Sequence, residues 1–201
     1  MRGATVRIIL TVTFFSRPTL AVARGLLGKY LVRRIGGRVL ALPITEVEAY
    51  CGFSDRASHA SAGMTPRNRV MFGPAGIWYV YFTYGIHWML NIVTGREGYP
   101  AAVLIRGVGP VRGPRRRHGS PGVTSGLASN GVEGISGPAR VTKFFKIDGR
   151  FNGKPASRRT GLWIEDRGVR VPPRAIRRGK RIGIGYAGAW SLKPWRFYLY
   201  Q

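Results

Sequence analysis

Two carboxylates stand two positions apart in a chain that has few acids. Glu46 and Glu48 belong to the run Glu-Val-Glu-Ala-Tyr, and only 8 of the 201 residues are acidic. Side chains alternate between the faces of a β-strand, so both carboxylates would point to the same side. Two neighbouring anions in a core are costly, and one is expected to face an opening or an arginine. A carboxylate at an opening can act as a general base on water, while spacing alone favours a structural salt bridge.

Aromatic side chains crowd a segment that follows. The run Trp78-Tyr79-Val80-Tyr81-Phe82 leads into Tyr84-Gly85. Strand alternation places Tyr79 and Tyr81 on one face and the other rings on the opposite face. A sheet core explains one aromatic face, whereas rings on both faces beside a glycine favour stacking against bases. A tyrosine at the tip of a strand can enter a base stack as a wedge.

The charge of the chain favours a polyanionic partner. Lysine and arginine total 33, mostly arginine, and give a formal net charge of +25 and a pI near 11.6. A compact domain this basic repels itself unless it meets a polyanion. Nucleic acid is the favoured partner, and an anionic membrane surface comes second. Arginine suits bidentate phosphate contacts, although genomic base composition also raises the arginine content.

The chain offers little to a metal ion or a disulfide. Its single cysteine, Cys51, excludes an intramolecular disulfide and is compatible with a reduced cytoplasm. His59, His87 and His118 are too far apart for a recognised metal-ligand spacing, so no metal or cofactor is expected. Taken alone, His59 is a surface or hydrogen-bonding residue.

Residues 1–13 allow two interpretations. Arg2 and Arg7 precede a short apolar run, and Ala21-Val22-Ala23 resembles a cleavage site, as in an export signal. Against export, Ser16-Arg17-Pro18 separates the run from the small residues, and the run is far too short to span a membrane. The alternative is an N-terminal extension of the folded chain.

The elements that must position these side chains are mostly strands. A helix is predicted over 19–27, with Thr19 as N-cap and Gly28 just past its end. Residues 29–35 and 38–50 form a hairpin, in which Pro43 indicates an edge or a bulge. Further strands are predicted at 77–84, 88–94, 101–106, 162–165, 181–186 and 196–200. A second helix is predicted over 136–147, capped by Ser136.

Residues 107–135 are predicted to form a flexible, basic loop with Arg115-Arg116-Arg117-His118 at its centre. The remaining elements fit one domain over 1–201, since the length suits one sizeable core. The predicted fold class is α+β. It has a curved, mostly antiparallel β-sheet core and a few peripheral helices.

Several ordered blocks of the sequence resemble the alkyladenine (3-methyladenine) DNA glycosylase family. The resemblance covers roughly residues 14–200, so it is far more specific than a single motif. Because the resemblance already begins at Phe14, it implies that the N-terminal segment is part of the folded protein and not a signal peptide. The blocks are Phe14–Pro18, Leu26–Gly28, Glu46–Tyr50, Ser58-His59, Thr65–Arg69, Tyr79–Tyr81, Tyr84-Gly85, Asn91, Val103–Arg106, Ser136–Pro138, Arg181–Gly185 and Lys193–Phe197.

The resemblance implies a hydrolase that removes alkylated or deaminated purines from double-stranded DNA. Glu48 matches the general base that deprotonates water, and Arg106 and the Ile182 carbonyl match the groups that hold that water. The resemblance implies base-excision repair by simple hydrolysis, which leaves an abasic site without strand cleavage. It also implies a monomer that needs no cofactor, and a cytoplasmic location, associated with the nucleoid if the protein is bacterial or archaeal.

The same resemblance assigns the groups that would hold the lesion. Tyr84 matches a side chain that intercalates in the minor groove, and Asn91 matches one that crowds the amino group of guanine. Three rings match the walls around the flipped base: Tyr50, His59 and Tyr81. Three residues of one loop would lie near the DNA backbone: Thr65, Arg67 and Arg69.

The sequence departs from the family pattern in places, and other functions stay open. Tyr186 stands where relatives often carry histidine, Ile86-His87 follow the wedge tyrosine, and the Arg115–His118 segment has no clear counterpart. A non-catalytic nucleic-acid-binding protein is the main alternative, and an exported basic protein is the third. The preferred lesion does not follow from the sequence, because pocket dimensions decide it.

Overall fold

An antiparallel sheet forms the framework of the molecule. The structure is a computed structural model that describes residues 6–111 and 134–199. In that part of the chain the strands are β1 Ile8–Ile9, β2 Tyr30–Ile35, β3 Arg38–Cys51, β4 Trp78–Thr83, β5 His87–Val93, β6 Ala101–Val108, β7 Ile135–Ser136, β8 Leu162–Asp166, β9 Ile176–Gly179 and β10 Arg196–Leu199. Their main order is β1-β8-β2-β3-β6-β5-β4. β7 pairs with β6, and β10 pairs with β3 and β9.

Short helices surround the sheet. The α-helices of the described residues are α1 Val12–Phe15, α2 Thr19–Leu26 and α3 Pro138–Phe144. Short 3-10 segments occupy Arg69–Phe72, Gly149–Phe151, Pro173–Ala175 and Gly185–Leu192. This arrangement confirms the predicted α+β class with a mostly antiparallel sheet. No described helix is long and apolar enough to cross a membrane.

β3 is the central strand because three neighbours share it. Its first half pairs with β2 in the predicted hairpin, and its second half pairs with β6 and β10. Pro43 marks the crossing point, and the pairing with β6 shifts register on both sides of Glu46. The predicted edge or bulge at Pro43 is therefore displaced: Pro43 itself pairs with Tyr30, and the register shifts lie just after it, between Ile44 and Val47. The buried core contacts of β3 include Ile44 and Val47.

β4 and β5 form a hairpin that carries the aromatic run. Their register pairs Tyr79 with Asn91 and Tyr81 with Met89. The connecting turn places both Tyr84 and Gly85 at positive φ, of 53° and 67°. A tyrosine in this region of conformational space is uncommon, so the turn holds Tyr84 in a defined, protruding position.

The N-terminal segment joins the fold earlier than predicted. β1 pairs with β8, so the predicted extension over 1–13 overlaps a strand of the sheet. Helix α2 agrees with the predicted helix, and Gly28 follows it at a φ of 81°. The N-cap prediction is wrong, because Pro18 holds that position. Thr19 is buried instead, and its hydroxyl accepts a hydrogen bond from Thr94 at 3.1 Å.

Three other sequence predictions need correction. Residues 181–186 do not form a strand, since Gly183 turns the chain at a φ of 77° and a 3-10 segment begins at Gly185. Ser136 belongs to β7, and Gly137 is the N-cap of α3. The predicted 107–135 loop begins and ends in strand, because β6 extends to Val108 and β7 begins at Ile135. Arg115–His118 lie outside the described residues.

Candidate active site

Glu48 lies in the second half of β3 with no exposed surface. The Ile182 N–H donates to its Oε1 at 2.7 Å, and the Tyr50 hydroxyl donates to its Oε2 at 2.9 Å. Arg106 on the adjacent strand places its Nε 3.3 Å from Oε1. Burial raises the pKa of Glu48, while the charge of Arg106 and the two hydrogen bonds oppose that rise. The carboxylate is therefore a stronger proton acceptor than an exposed glutamate.

Glu46 lies beside Glu48 but has a different environment. Its Oε1 accepts a hydrogen bond from Arg106 Nε at 3.0 Å and lies 3.8 Å from Arg196. Both carboxylates thus point to the same side, as alternation predicts, and Arg106 lies between them. Glu46 is partly exposed and has two arginine partners, which is the structural salt bridge that spacing alone favours.

A cavity of about 310 Å³ adjoins Glu48. Glu48 itself does not line it, but all three of its partners do: Tyr50, Arg106 and Ile182. Other lining side chains are His59, Tyr79, Tyr81, Tyr84, Met89, Asn91, Pro138 and Tyr186. The volume falls at the lower end of the range for small-molecule sites, and the mixture of rings with few polar groups is typical of them.

Aromatic rings form the walls of this cavity. The Tyr81 and His59 rings meet edge to face, with their centroids 4.6 Å apart. His59 Nδ1 lies 2.9 Å from the Tyr79 hydroxyl, and Asn68 donates to the His59 carbonyl at 2.7 Å. Partial desolvation lowers the pKa of His59, and the charge of Arg67 lowers it further, so the imidazole is neutral near pH 7.

Asn91 lies at the buried end of the cavity, and Tyr84 lies at its exposed end. Asn91 is buried on β5, and its side-chain amide donates to the Tyr79 carbonyl at 3.1 Å. Tyr84 is 83% exposed at the tip of the β4–β5 hairpin and still lines the cavity mouth. The cavity therefore has a polar side chain at its base and a projecting ring at its rim.

The loop before the 3-10 segment at Arg69–Phe72 borders the hairpin. Thr65, Arg67 and Arg69 are exposed. Arg67 donates to the Phe82 carbonyl at 3.0 Å, and its guanidinium lies 5.2 Å from the Tyr81 ring centroid. Arg67 therefore contacts a strand and a ring of the cavity wall, and it is also exposed to solvent beside the cavity.

Comparison with known proteins identifies the family of this chain. Residues 13–201 match the family model described as methylpurine-DNA glycosylase (MPG). The chain belongs to this family. A protein of Methanocella arvoryzae, named "Putative 3-methyladenine DNA glycosylase", is 46% identical over 94% of this chain and 92% of its own length. Proteins with the same name from Anaeromyxobacter dehalogenans strain 2CP-1 and Streptomyces avermitilis are 41% and 42% identical. The alignment with the Anaeromyxobacter protein covers 92% of this chain and 80% of that protein. The alignment with the Streptomyces protein covers 99% of this chain and 91% of that protein.

The structure of this methylpurine-DNA glycosylase family member brings all the predicted pocket residues together. Sequence reasoning missed two contributors behind the wall, Asp55 and Arg181, which form a fully buried ion pair. A few acids among many arginines indicate that such pairs form, but not which residues pair. Tyr186, the departure from the family pattern, lies at the cavity with 74% exposure, and its hydroxyl donates to the Ala57 carbonyl at 3.4 Å.

Proposed function

We infer that this protein removes damaged purines from double-stranded DNA by hydrolysing the bond between base and sugar. The observation that carries this inference is a buried carboxylate whose two hydrogen-bond donors and ion-pair partner line an aromatic cavity with a tyrosine at its rim. The names of the relatives point to 3-methyladenine as one substrate. We propose the alkylated base 7-methylguanine and the deaminated base hypoxanthine as further substrates.

Glu48 is the general base in this proposal. Cleavage of the base–sugar bond builds positive charge on the sugar, and a nearby carboxylate stabilises that charge and takes a proton from water. Arg106 and the Ile182 backbone hold the water, since both already contact the carboxylate and line the cavity. In this proposal, water reaches Glu48 by replacing one of the two hydrogen-bond donors that now contact the carboxylate.

The cavity takes one nucleotide that has rotated out of the helix. Tyr50, His59 and Tyr81 stack around its base, and Asn91 crowds the amino group that distinguishes guanine. Enclosing a base in such a pocket costs the unstacking of the duplex, which is least for a damaged pair. Tyr84 fills the gap left in the stack, because its ring projects from the exposed turn at the hairpin tip.

The surface around the cavity binds the DNA backbone. Thr65 and Arg67 lie on the loop beside the hairpin, Arg69 begins the 3-10 segment that follows, and all three contact phosphates in this proposal. The net charge of +25 adds affinity that does not depend on sequence. One flipped base needs one pocket, so a monomer suffices. Because none of the described residues that line the cavity is a lysine, the reaction is hydrolysis without strand cleavage.

A base-release assay tests the proposal. Duplexes with one hypoxanthine, and alkylated duplexes with 3-methyladenine or 7-methylguanine, are incubated with the protein, and free base is measured by chromatography. We expect free base and an intact strand that breaks only after alkali treatment. Tight binding to lesion DNA without release of any base would favour a non-catalytic binding protein instead. Strand breaks before alkali treatment would contradict simple hydrolysis.

A further inference from the structure

A buried ion pair lies directly behind one wall of the cavity. Arg181 and Asp55 have no exposed side-chain surface, and they form a bidentate contact with N–O distances of 2.5 Å and 2.8 Å. Neither residue lines the cavity. Burying two charges is costly unless the geometry is good and the remaining hydrogen bonds are satisfied, so a pair at this position needs a reason.

The arginine of this pair lies over two aromatic rings. Its guanidinium carbon lies 4.7 Å from the Tyr50 ring centroid and 5.1 Å from that of Trp195. Tyr50 also lines the cavity, while Arg181 does not. The tyrosine ring therefore separates a buried cation from the space that a base would occupy.

The pair also ties together three parts of the site. Asp55 accepts hydrogen bonds from the Cys51 and Ala57 N–H groups, each at 3.1 Å, which shapes the loop that leads to His59. Arg181 donates to the Ala49 carbonyl at 2.9 Å. It also directly precedes Ile182, whose N–H binds Glu48.

We propose that the Arg181–Asp55 pair positions Tyr50 and shifts the pocket's preference away from cationic and toward neutral damaged bases, an inference that rests on the proposed glycosylase function. The face of an aromatic ring attracts a cation through its electron density. A guanidinium on the rear face draws on that density, so the front face attracts a second cation less. Purines methylated at N7 or N3 are cationic in DNA, whereas hypoxanthine is neutral. The carboxylate of Asp55 limits this effect, because its negative charge is paired with the guanidinium.

The proposal makes opposite predictions for two variants. In Arg181→Gln with Asp55→Asn, both charges are gone, and the Tyr50 ring regains its attraction for cations. The ratio of kcat/KM for hypoxanthine to that for 7-methylguanine should fall about two- to fivefold. In Asp55→Asn alone, the arginine loses its counter-charge, and the same ratio should rise. Both lesions are placed in the same duplex sequence, so a general loss of activity cancels from the ratio.

A second arginine–carboxylate pair in this chain provides a matched control. Arg167 lies 4.2 Å from the Tyr30 ring centroid, and its Nε is 2.7 Å from Glu165 Oε1. None of these three residues lines the cavity. The paired variant Arg167→Gln with Glu165→Gln removes the same charges from a tyrosine elsewhere. We expect it to leave the lesion ratio unchanged.

The outcomes separate this inference from the proposed function. If the wild-type protein releases neither base, the glycosylase function fails. If it releases both, and the ratio shifts in the same direction in both Asp55 variants or in neither, the pair does not set the preference. Thermal melting by circular dichroism monitors folding. Should the double variant not fold, the rise expected in Asp55→Asn alone still decides, and a fall or no change overturns the proposal.

Discussion

Two cavities of this molecule differ in size and in chemistry. The larger, of about 680 Å³, lies beside α1 and α2 and is lined by Arg17, Arg24, Lys29 and Arg170 together with apolar side chains. None of the described residues that line it carries a carboxylate. The smaller, of about 310 Å³, is the aromatic cavity beside Glu48. The larger volume therefore does not coincide with the groups that can do chemistry.

The difference follows from what each lining can offer a ligand. Exposed arginines around an open depression can attract an anion, but they have no group that accepts a proton at neutral pH. The smaller cavity has a buried carboxylate behind its wall, neutral rings at its sides and an exposed ring at its rim. Catalysis needs such groups fixed in place before the substrate arrives. The proposed reaction therefore belongs in the smaller cavity, and the following changes test that proposal.

Removal of the Glu48 carboxylate should have the largest effect on activity. Glu48→Gln keeps an oxygen for the Ile182 N–H but cannot take a proton, so base release in single-turnover assays should fall by at least about a hundredfold. Binding to lesion DNA, measured by gel shift, should persist. Glu46→Gln is the control, since it leaves Glu48 in place and removes only a partner of Arg106 and Arg196. It should cost less than about tenfold. Equal losses in the two variants would mean that Glu48 is not the base.

The pH profile should report the buried carboxylate. Burial raises the pKa of Glu48, and a general base works only when deprotonated. The wild-type kcat/KM should therefore fall tenfold per pH unit below a midpoint that lies above the ordinary glutamate value of about 4.3. Measurements from about pH 4.5 to about pH 8 on one hypoxanthine duplex locate this limb. Glu48→Gln should lack it. A wild-type profile that stays flat over this range would contradict the raised pKa or the role of the base.

These two carboxylates also show where sequence reasoning ends. Strand alternation correctly placed Glu46 and Glu48 on one side, because the period of two is a local property of the backbone. Alternation does not tell which carboxylate is buried beside two hydrogen-bond donors and an arginine. That depends on Arg106 and Ile182, which come from distant parts of the chain. The family resemblance selected Glu48 as the general base, and that role stays a prediction.

The wrong strand prediction has a similar cause. The run Arg181-Ile-Gly-Ile-Gly alternates in the way a half-buried strand does, but Gly183 adopts a positive φ and turns the chain. The resulting bend directs the Ile182 N–H to Glu48 and buries Arg181 against Asp55. Tertiary contacts thus overrode a local pattern. By contrast, the β2–β3 hairpin was predictable, because Gly36 and Gly37 both take the positive φ that such turns need.

Loss of the rim tyrosine should have an intermediate effect. Tyr84→Ala removes a ring that would occupy the gap in the base stack, and stacking of this kind contributes about 1–3 kcal/mol. The kcat/KM on a hypoxanthine duplex should fall about tenfold, while gel-shift affinity for undamaged duplex changes little. Tyr84→Phe keeps the ring and should retain wild-type activity. Both substitutions leave a non-glycine residue at the positive φ, so they strain the turn equally. Equal activity of the Ala variant and wild type would remove the wedge role.

Changes in the larger cavity should have the smallest effect. Arg24→Gln with Arg170→Gln removes two exposed charges there, and base release should change less than about twofold. The matched variant, Arg67→Gln with Arg69→Gln, removes the same charge beside the aromatic cavity. It should reduce the slope of log affinity against log salt by about one to two, because each phosphate contact releases a counterion. The slope for the Arg24 and Arg170 variant should stay at the wild-type value. A reduction of equal size there would place the larger cavity on the DNA-binding surface, since a remote charge cannot release counterions from a phosphate it does not touch.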